Sequence, residues 1–240
     1  MRDARRYQVA LAIGLGLAGT AGFAALASSW AGLGVVYPLT AVVIFAAMMA
    51  AVIAVAGHPH PHARFGAANV VTTVRVMLMA LAAGLVGQAV RPAILWWVVA
   101  GTALAAALDG VDGWLARRTR TASEFGARFD METDAALILV LSILVWQHGK
   151  AGAWVLLCGL MRYGFVAAGR LLPWLAGPLR STVRGKTVAV VQIVGLSVAL
   201  APLVPVPVSA LVAAITLAAL VWSFAIDVVW LLRSQGGSCR

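Results

Sequence analysis

Apolar runs long enough to cross a bilayer follow one another along nearly the whole chain, and such a run has few ways to fold. In hydrocarbon, backbone N–H and C=O groups must be satisfied within the protein, so an uncharged run of about twenty residues closes its own hydrogen bonds as a helix. By that criterion the chain of 240 residues holds about eight runs, near 7–29, 34–56, 69–90, 92–116, 122–146, 152–172, 187–203 and 208–232. The expected fold is all-α, a polytopic membrane helical bundle. Hydrophobic residues form 62% of the sequence and mean hydropathy is +0.97, which excludes a water-soluble globular core. Cys158 and Cys239 are read as free thiols.

The N-terminus, basic through Arg6 and then apolar up to Ala25-Leu26-Ala27, has the outline of a cleavable signal peptide. The length of the run and the second span that follows at once favour a retained span. Residues 1–62 then form a two-span hairpin ending in Gly57-His58-Pro59-His60-Pro61-His62. Alternating histidines are possible metal ligands, but the intervening prolines and the lack of a nearby acid or cysteine favour a polar linker.

The formal net charge of +10 sets the orientation. In the eight-span scheme Arg91 and Lys150 fall on one side. The other side carries Arg2, Arg5, Arg6, Arg64, Arg117, Arg118, Arg120, Arg180, Arg184, Lys186, Arg233 and Arg240, and by the positive-inside rule it faces the cytoplasm. A sequence pI near 11.2 would suggest nucleic acid in a soluble protein. Here the basic residues flank apolar spans and meet anionic headgroups, so membrane lipids are the expected partners and nucleic acid is not.

Against this background the acids stand out. Of the eight Asp and Glu residues, Asp109, Asp112, Glu124, Asp130, Glu132 and Asp134 fall in one short window. Asp109 and Asp112 share a helix face at i,i+3, and Asp130 and Asp134 share one at i,i+4. Four converging carboxylates repel unless neutralised, and hard divalent cations with oxygen ligands are the usual remedy. The reading is Mg²⁺ or Mn²⁺, two per site, opening to the cytoplasm. Pro92 suits the first turn of the helix leading to Asp109, and Thr121-x-x-Glu124 has the form of a capping box, which accounts for Glu124 structurally. Glu132 projects away from the Asp130/Asp134 face. Gly113, Ala116 and Gly126 keep those faces open to a ligand or to a neighbouring helix.

The full pattern, Asp109-x-x-Asp112-Gly113-x-x-Ala116-Arg117, eight residues, then Gly126-x-x-x-Asp130-x-x-x-Asp134, resembles the signature of the CDP-alcohol phosphotransferase (CDP-alcohol phosphatidyltransferase) family. Asn69-x-x-Thr72-x-x-Arg75 is similar to the pattern that opens that family's six-helix core. The resemblance implies a catalytic core at 63–240 behind the hairpin and linker at 1–62. It implies transfer of a substituted phosphate from a CDP-linked lipid donor to a small alcohol acceptor, with release of CMP. By position, Asp109, Asp112, Asp130 and Asp134 would ligate the metals, and Asp134 would take the acceptor's proton. Asn69, Thr72, Gly113, Ala116, Arg117 and Gly126 would surround the donor nucleotide. A homodimer in a bacterial-type inner membrane is also implied.

The acceptor side has a weaker signal. Arg162, Arg170, Arg180, Arg184 and Lys186 surround a loop on the cytoplasmic side, where arginines suit an acceptor phosphate or simply anchor headgroups. Gly185-Lys186 and Gln192 resemble a segment of bacterial phosphatidylglycerolphosphate synthases, although position 188, where a second lysine is expected, is Val. A phosphorylated polyol is the expected acceptor, and a neutral or amino alcohol the alternative. Asp227 is expected to serve an arginine as partner. Because intramembrane acids also mark ion pathways, a divalent-cation or proton-coupled transporter is the rival from another class. Such transporters are commonly built on inverted repeats, and none is evident here.

Overall fold

The computed structural model describes the backbone of residues 2–55, 67–118, 124–172 and 183–236, and the side chains of 10–51, 70–110, 126–172 and 184–233. Among them are eight α-helices and no strand. The helices are α1 (Arg2–Ala31), α2 (Val36–Val55), α3 (Ala67–Ala83), α4 (Pro92–Arg118), α5 (Glu124–Gln147), α6 (Leu157–Leu171), α7 (Val183–Leu200) and α8 (Val206–Gly236), with a 3-10 turn at Ala153–Leu156 before α6. Each falls on one of the eight apolar runs, and α4 starts at Pro92 as expected. The linker histidines, Arg180, Thr121, Cys239 and the hairpin boundary at residue 62 lie outside the described residues.

Among the described residues, four helical segments are long and apolar enough to cross a membrane: Ala10–Ala31, Pro92–Gly110, Ala153–Leu171 and Val206–Arg233. Within the described side chains the apolar stretches Val36–Ala51 and Val70–Ala83 are shorter, although α2 itself runs 20 residues, and α5 and α7 carry charged residues in their first turns. The run expected to continue to residue 90 stops as a helix at Ala83. It tightens into three-residue turns, Leu85 N–H to Ala82 O and Val86 N–H to Ala83 O, and Gly87 takes a positive φ of 79°.

Two helix ends show how local sequence sets these boundaries. After α1, Gly32 (φ 68°) reverses the chain and the Leu33 N–H reaches Ser28 O at 3.0 Å. After α5, Gly149 (φ 65°) does the same and the Lys150 N–H reaches Val145 O at 3.0 Å. Both are Schellman ends, in which a glycine accepts a left-handed conformation that a side chain would strain.

The chain forms two compact units, Met1–Val140 and Leu141–Arg240, divided within α5. In the first, α1 packs on α2 and α3, α2 on α3, and α3 on α4. The α1 face carries Gly16, Thr20 and Ala24 at four-residue spacing, and Thr20 and Ala24 are fully buried. Opposite them stand Tyr37, Ala41, Phe45 and Met49, again four apart and buried. A side chain at Gly16 would run into the Phe45 ring, so the helices approach because position 16 has none. The remaining surface is apolar too: Leu26 is 68% and Trp30 83% exposed, which suits lipid rather than water.

In the second unit α7 packs along α8. Buried Ser209, Ala213, Thr216, Leu220 and Ser223 recur at alternating spacings of four and three, the seam of a left-handed helix pair. Across it lie buried Val188, Gln192 and Leu196. The Gln192 amide donates to Thr216 O at 2.9 Å, and a buried amide has reason to make that bond. Near the end of α7 the Lys150 ammonium donates to Val204 O at 2.7 Å and Ala201 O at 3.0 Å. The Ser209 hydroxyl donates back to Lys150 O at 2.5 Å.

Gly195 is a point of close approach in the α7–α8 seam, since a Cβ there would overlap the Thr216 methyl. Gly195→Ala is expected to destabilise by about 1–3 kcal/mol. Thr216→Ser removes that methyl and keeps the hydroxyl that donates to Ala213 O at 2.8 Å, so in the double variant it should recover much of the loss. Thermal unfolding in detergent checks this through a double-mutant cycle. Simple additivity would show that the seam does not close at this pair.

Candidate metal and phosphate site

One arginine gathers the acids. Arg75 lies in α3, a helix otherwise apolar or neutral along its length, and its side chain is 1% exposed. A guanidinium so placed is costly unless matched. Arg75 Nη1 lies 3.0 Å from Asp109 Oδ1 of α4 and also donates to Asp130 Oδ1 of α5. Arg75 Nη2 donates to Asp134 Oδ1, one turn further along α5. The fixed fork of the guanidinium thus spans two carboxylates on one helix and a third on another.

The acids are half-buried, with side chains exposed by 32% at Asp109, 30% at Asp130 and 19% at Asp134. One ligand oxygen from each lies within 4.8 Å of the others. Such an all-oxygen set suits a hard divalent cation. One guanidinium offsets one of three carboxylate charges, so the cluster still favours further positive charge. Asp109 also follows a long apolar stretch of α4 that begins at Pro92.

The i,i+4 pair on α5 and the first acid of α4 therefore meet as their spacing suggested, and Glu132 is outside the cluster. The α4 helix continues through Asp112, Gly113, Ala116 and Arg117, but these side chains, like those of Asn69 and Glu124, lie outside the described residues. Thr72 is buried one turn before Arg75 on the same side of α3. Gly126 is half-buried one turn before Asp130.

The acceptor candidates belong to the second unit. Arg162 is half-buried on α6, and Lys186 is exposed on α7. Arg184 pairs with Asp227 of α8 and its Nε donates to Ser223 Oγ at 3.3 Å. Asp227 is thus the arginine partner its position suggested.

The sequence reading gave Arg75 no role in the site, although it is the residue that joins the three acids. The available signal was a cation in the middle of an apolar run, a placement that demands an anionic partner.

The model of the CDP-alcohol phosphatidyltransferase family matches residues 65–226. No curated protein and no solved structure matches the chain. The family match opens past the α1–α2 hairpin and takes in Arg75 and all four aspartates of the signature. Covering more than half of the sequence, it shows that the chain belongs to the CDP-alcohol phosphatidyltransferase family.

Proposed function

We propose that the protein transfers a phosphatidyl group from a CDP-diacylglycerol-type donor to the hydroxyl of a small alcohol, releasing CMP, in phospholipid synthesis at the cytoplasmic leaflet. The observation that carries this reading is the convergence of Asp109, Asp130 and Asp134 on Arg75 inside the segment that matches the family. The catalytic core is taken to follow the hairpin at 1–62, and the basic loops are taken as cytoplasmic under the positive-inside rule.

The donor set fits Mg²⁺ or Mn²⁺, with two ions per site and Asp112 completing the ligands. Once bound, such ions neutralise the donor pyrophosphate and the departing CMP. Asp134 accepts the proton of the acceptor hydroxyl as its oxygen bonds to the lipid-side phosphorus and the bond from that phosphorus to CMP breaks. Asn69, Thr72, Gly113, Ala116, Arg117 and Gly126 surround the nucleotide. Arg75 is a positioning residue that holds three carboxylates on two helices in one place. Arg162, Arg180, Arg184 and Lys186 are assigned to an acceptor phosphate, with Arg184 already balanced by Asp227.

Release of CMP from CDP-diacylglycerol by the purified full-length chain, with and without divalent cation and across a panel of alcohols, tests the reaction. Asp109→Asn and Asp130→Asn are each expected to abolish divalent-dependent release in a protein that still inserts. Asp134→Asn should reduce the rate far more than donor affinity, because a metal site with the three remaining acids would still hold the pyrophosphate while the hydroxyl loses its proton acceptor. Near-normal turnover in all three variants would sink the assignment.

Arg75→Gln should leave three neighbouring carboxylates without their counter-charge and lower stability by about 3–5 kcal/mol. Mn²⁺ should restore part of that loss, read as a larger Mn²⁺-induced rise in thermal midpoint than in the wild type. Equal rises in both would remove Arg75 from the site. For the acceptor, Arg162→Gln should raise KM for a phosphorylated alcohol more than for its unphosphorylated analogue, by tenfold or more, since a charged hydrogen bond contributes about 1.5–3 kcal/mol. Equal effects on the two acceptors would make Arg162 a structural cation.

A further inference from the structure

The first unit contains an apolar cavity of about 630 Å³, within the range of roughly 300–1,000 Å³ usual for ligand sites and open on the side where Phe23, Leu26, Trp30 and Trp97 are exposed. It ends one helical turn from the carboxylate cluster on three helices. Leu78 of α3, Ala105 of α4 and Leu137 of α5 line it. Leu78 lies three residues after Arg75, Ala105 four before Asp109, and Leu137 three after Asp134. On each helix the lining residue is therefore one turn from a site residue and on the same side. Along α4 the lining runs from Ala93 to Ala105, about 18 Å at 1.5 Å per residue.

Its walls offer almost nothing polar. Tyr37 and Thr102 line it, but the Tyr37 hydroxyl donates to Leu81 O at 3.2 Å and that of Thr102 to Val98 O at 3.0 Å. At the end away from the acids, the rings of Trp30 and Trp97 meet edge to face at 6.3 Å, beside Arg91. One wall comes from outside the family segment: Phe23, Leu26, Ala27 and Trp30 of α1 precede the match, which begins at residue 65.

We propose that this cavity holds an acyl chain of the lipid donor, and that the N-terminal hairpin is its wall and sets which chain lengths are used. The assignment rests on the donor proposed above. Its occupant follows from proximity: a chain attached to a phosphate that cations at Asp109, Asp130 and Asp134 would hold meets an apolar channel one turn away on all three site helices. A polar acceptor finds no free hydrogen-bonding group from Tyr37 or Thr102.

Gly101 permits a direct test, because it lines the cavity and a Cβ there meets nothing within 4 Å. Gly101→Phe and, on the hairpin side, Ala27→Phe are compared with the wild type in micelles using CDP-diacylglycerols with short and long chains. Each variant should lower kcat/KM for the long-chain donor at least about tenfold relative to the short-chain donor, with thermal midpoints confirming that both fold. Equal losses for the two donors, or no effect of Ala27→Phe, would overturn the proposal.

Occupancy is read separately from turnover with a long-chain CDP-diacylglycerol carrying a diazirine at the acyl terminus. Crosslinks should concentrate in residues 23–37 of the wild type and fall in Gly101→Phe. Labelling spread over exposed α6 and α8, as for surrounding lipid, would overturn the proposal. If crosslinks concentrate at 23–37 but no CMP is released, the cavity assignment survives and the reaction reading fails.

Discussion

In a chain of this composition an unmatched charge is the most expensive thing to place, and the ion pairs of Arg75 show how the expense is met. The guanidinium sits in an apolar helix and is almost wholly buried, so α4 and α5 must bring acids to it. The acids in turn would repel one another without it. Removing either side leaves the other uncompensated in a poor dielectric, a larger penalty than the worth of the intact pair. The same interaction that assembles the first unit thereby fixes the spacing of oxygens available to a cation.

The second unit handles charge by the same rule with different parts. Arg184 and Asp227 match each other between α7 and α8, and Lys150 is matched by carbonyls rather than by an acid. Where no charge is present, shape takes over. Gly16 beneath Phe45 and Gly195 beneath Thr216 let helices approach closely where lipid gives no hydrophobic incentive to associate.

Much of this was legible in the residues. The eight helices followed from apolar runs, the start of α4 from Pro92, and the meeting of Asp130 with Asp134 from a four-residue spacing. Spacing along one helix says nothing of which third helix will approach. Arg75 therefore escaped, as did the pairing of Asp227 with Arg184 in particular. Hydropathy also overran the end of α3, because Leu85 and Val86 are as apolar as the helix before them while the chain tightens at Leu85 and Val86 and turns at Gly87. The cavity was beyond reach for a similar reason: its walls are ordinary leucines, alanines and tryptophans, and their arrangement is a property of helix packing alone.

The clasp on Lys150 has a consequence for how the chain comes together. Its ammonium is held by carbonyls of Ala201 and Val204, and its own carbonyl by Ser209, all synthesised some fifty residues later. Until that stretch has emerged, the turn after α5 carries a cation without these carbonyl partners. The late hairpin of α7 and α8 therefore does more than complete a bundle. It latches an earlier loop, so that a chain cut short before Ser209 would hold its first five helices with the turn behind them unfastened.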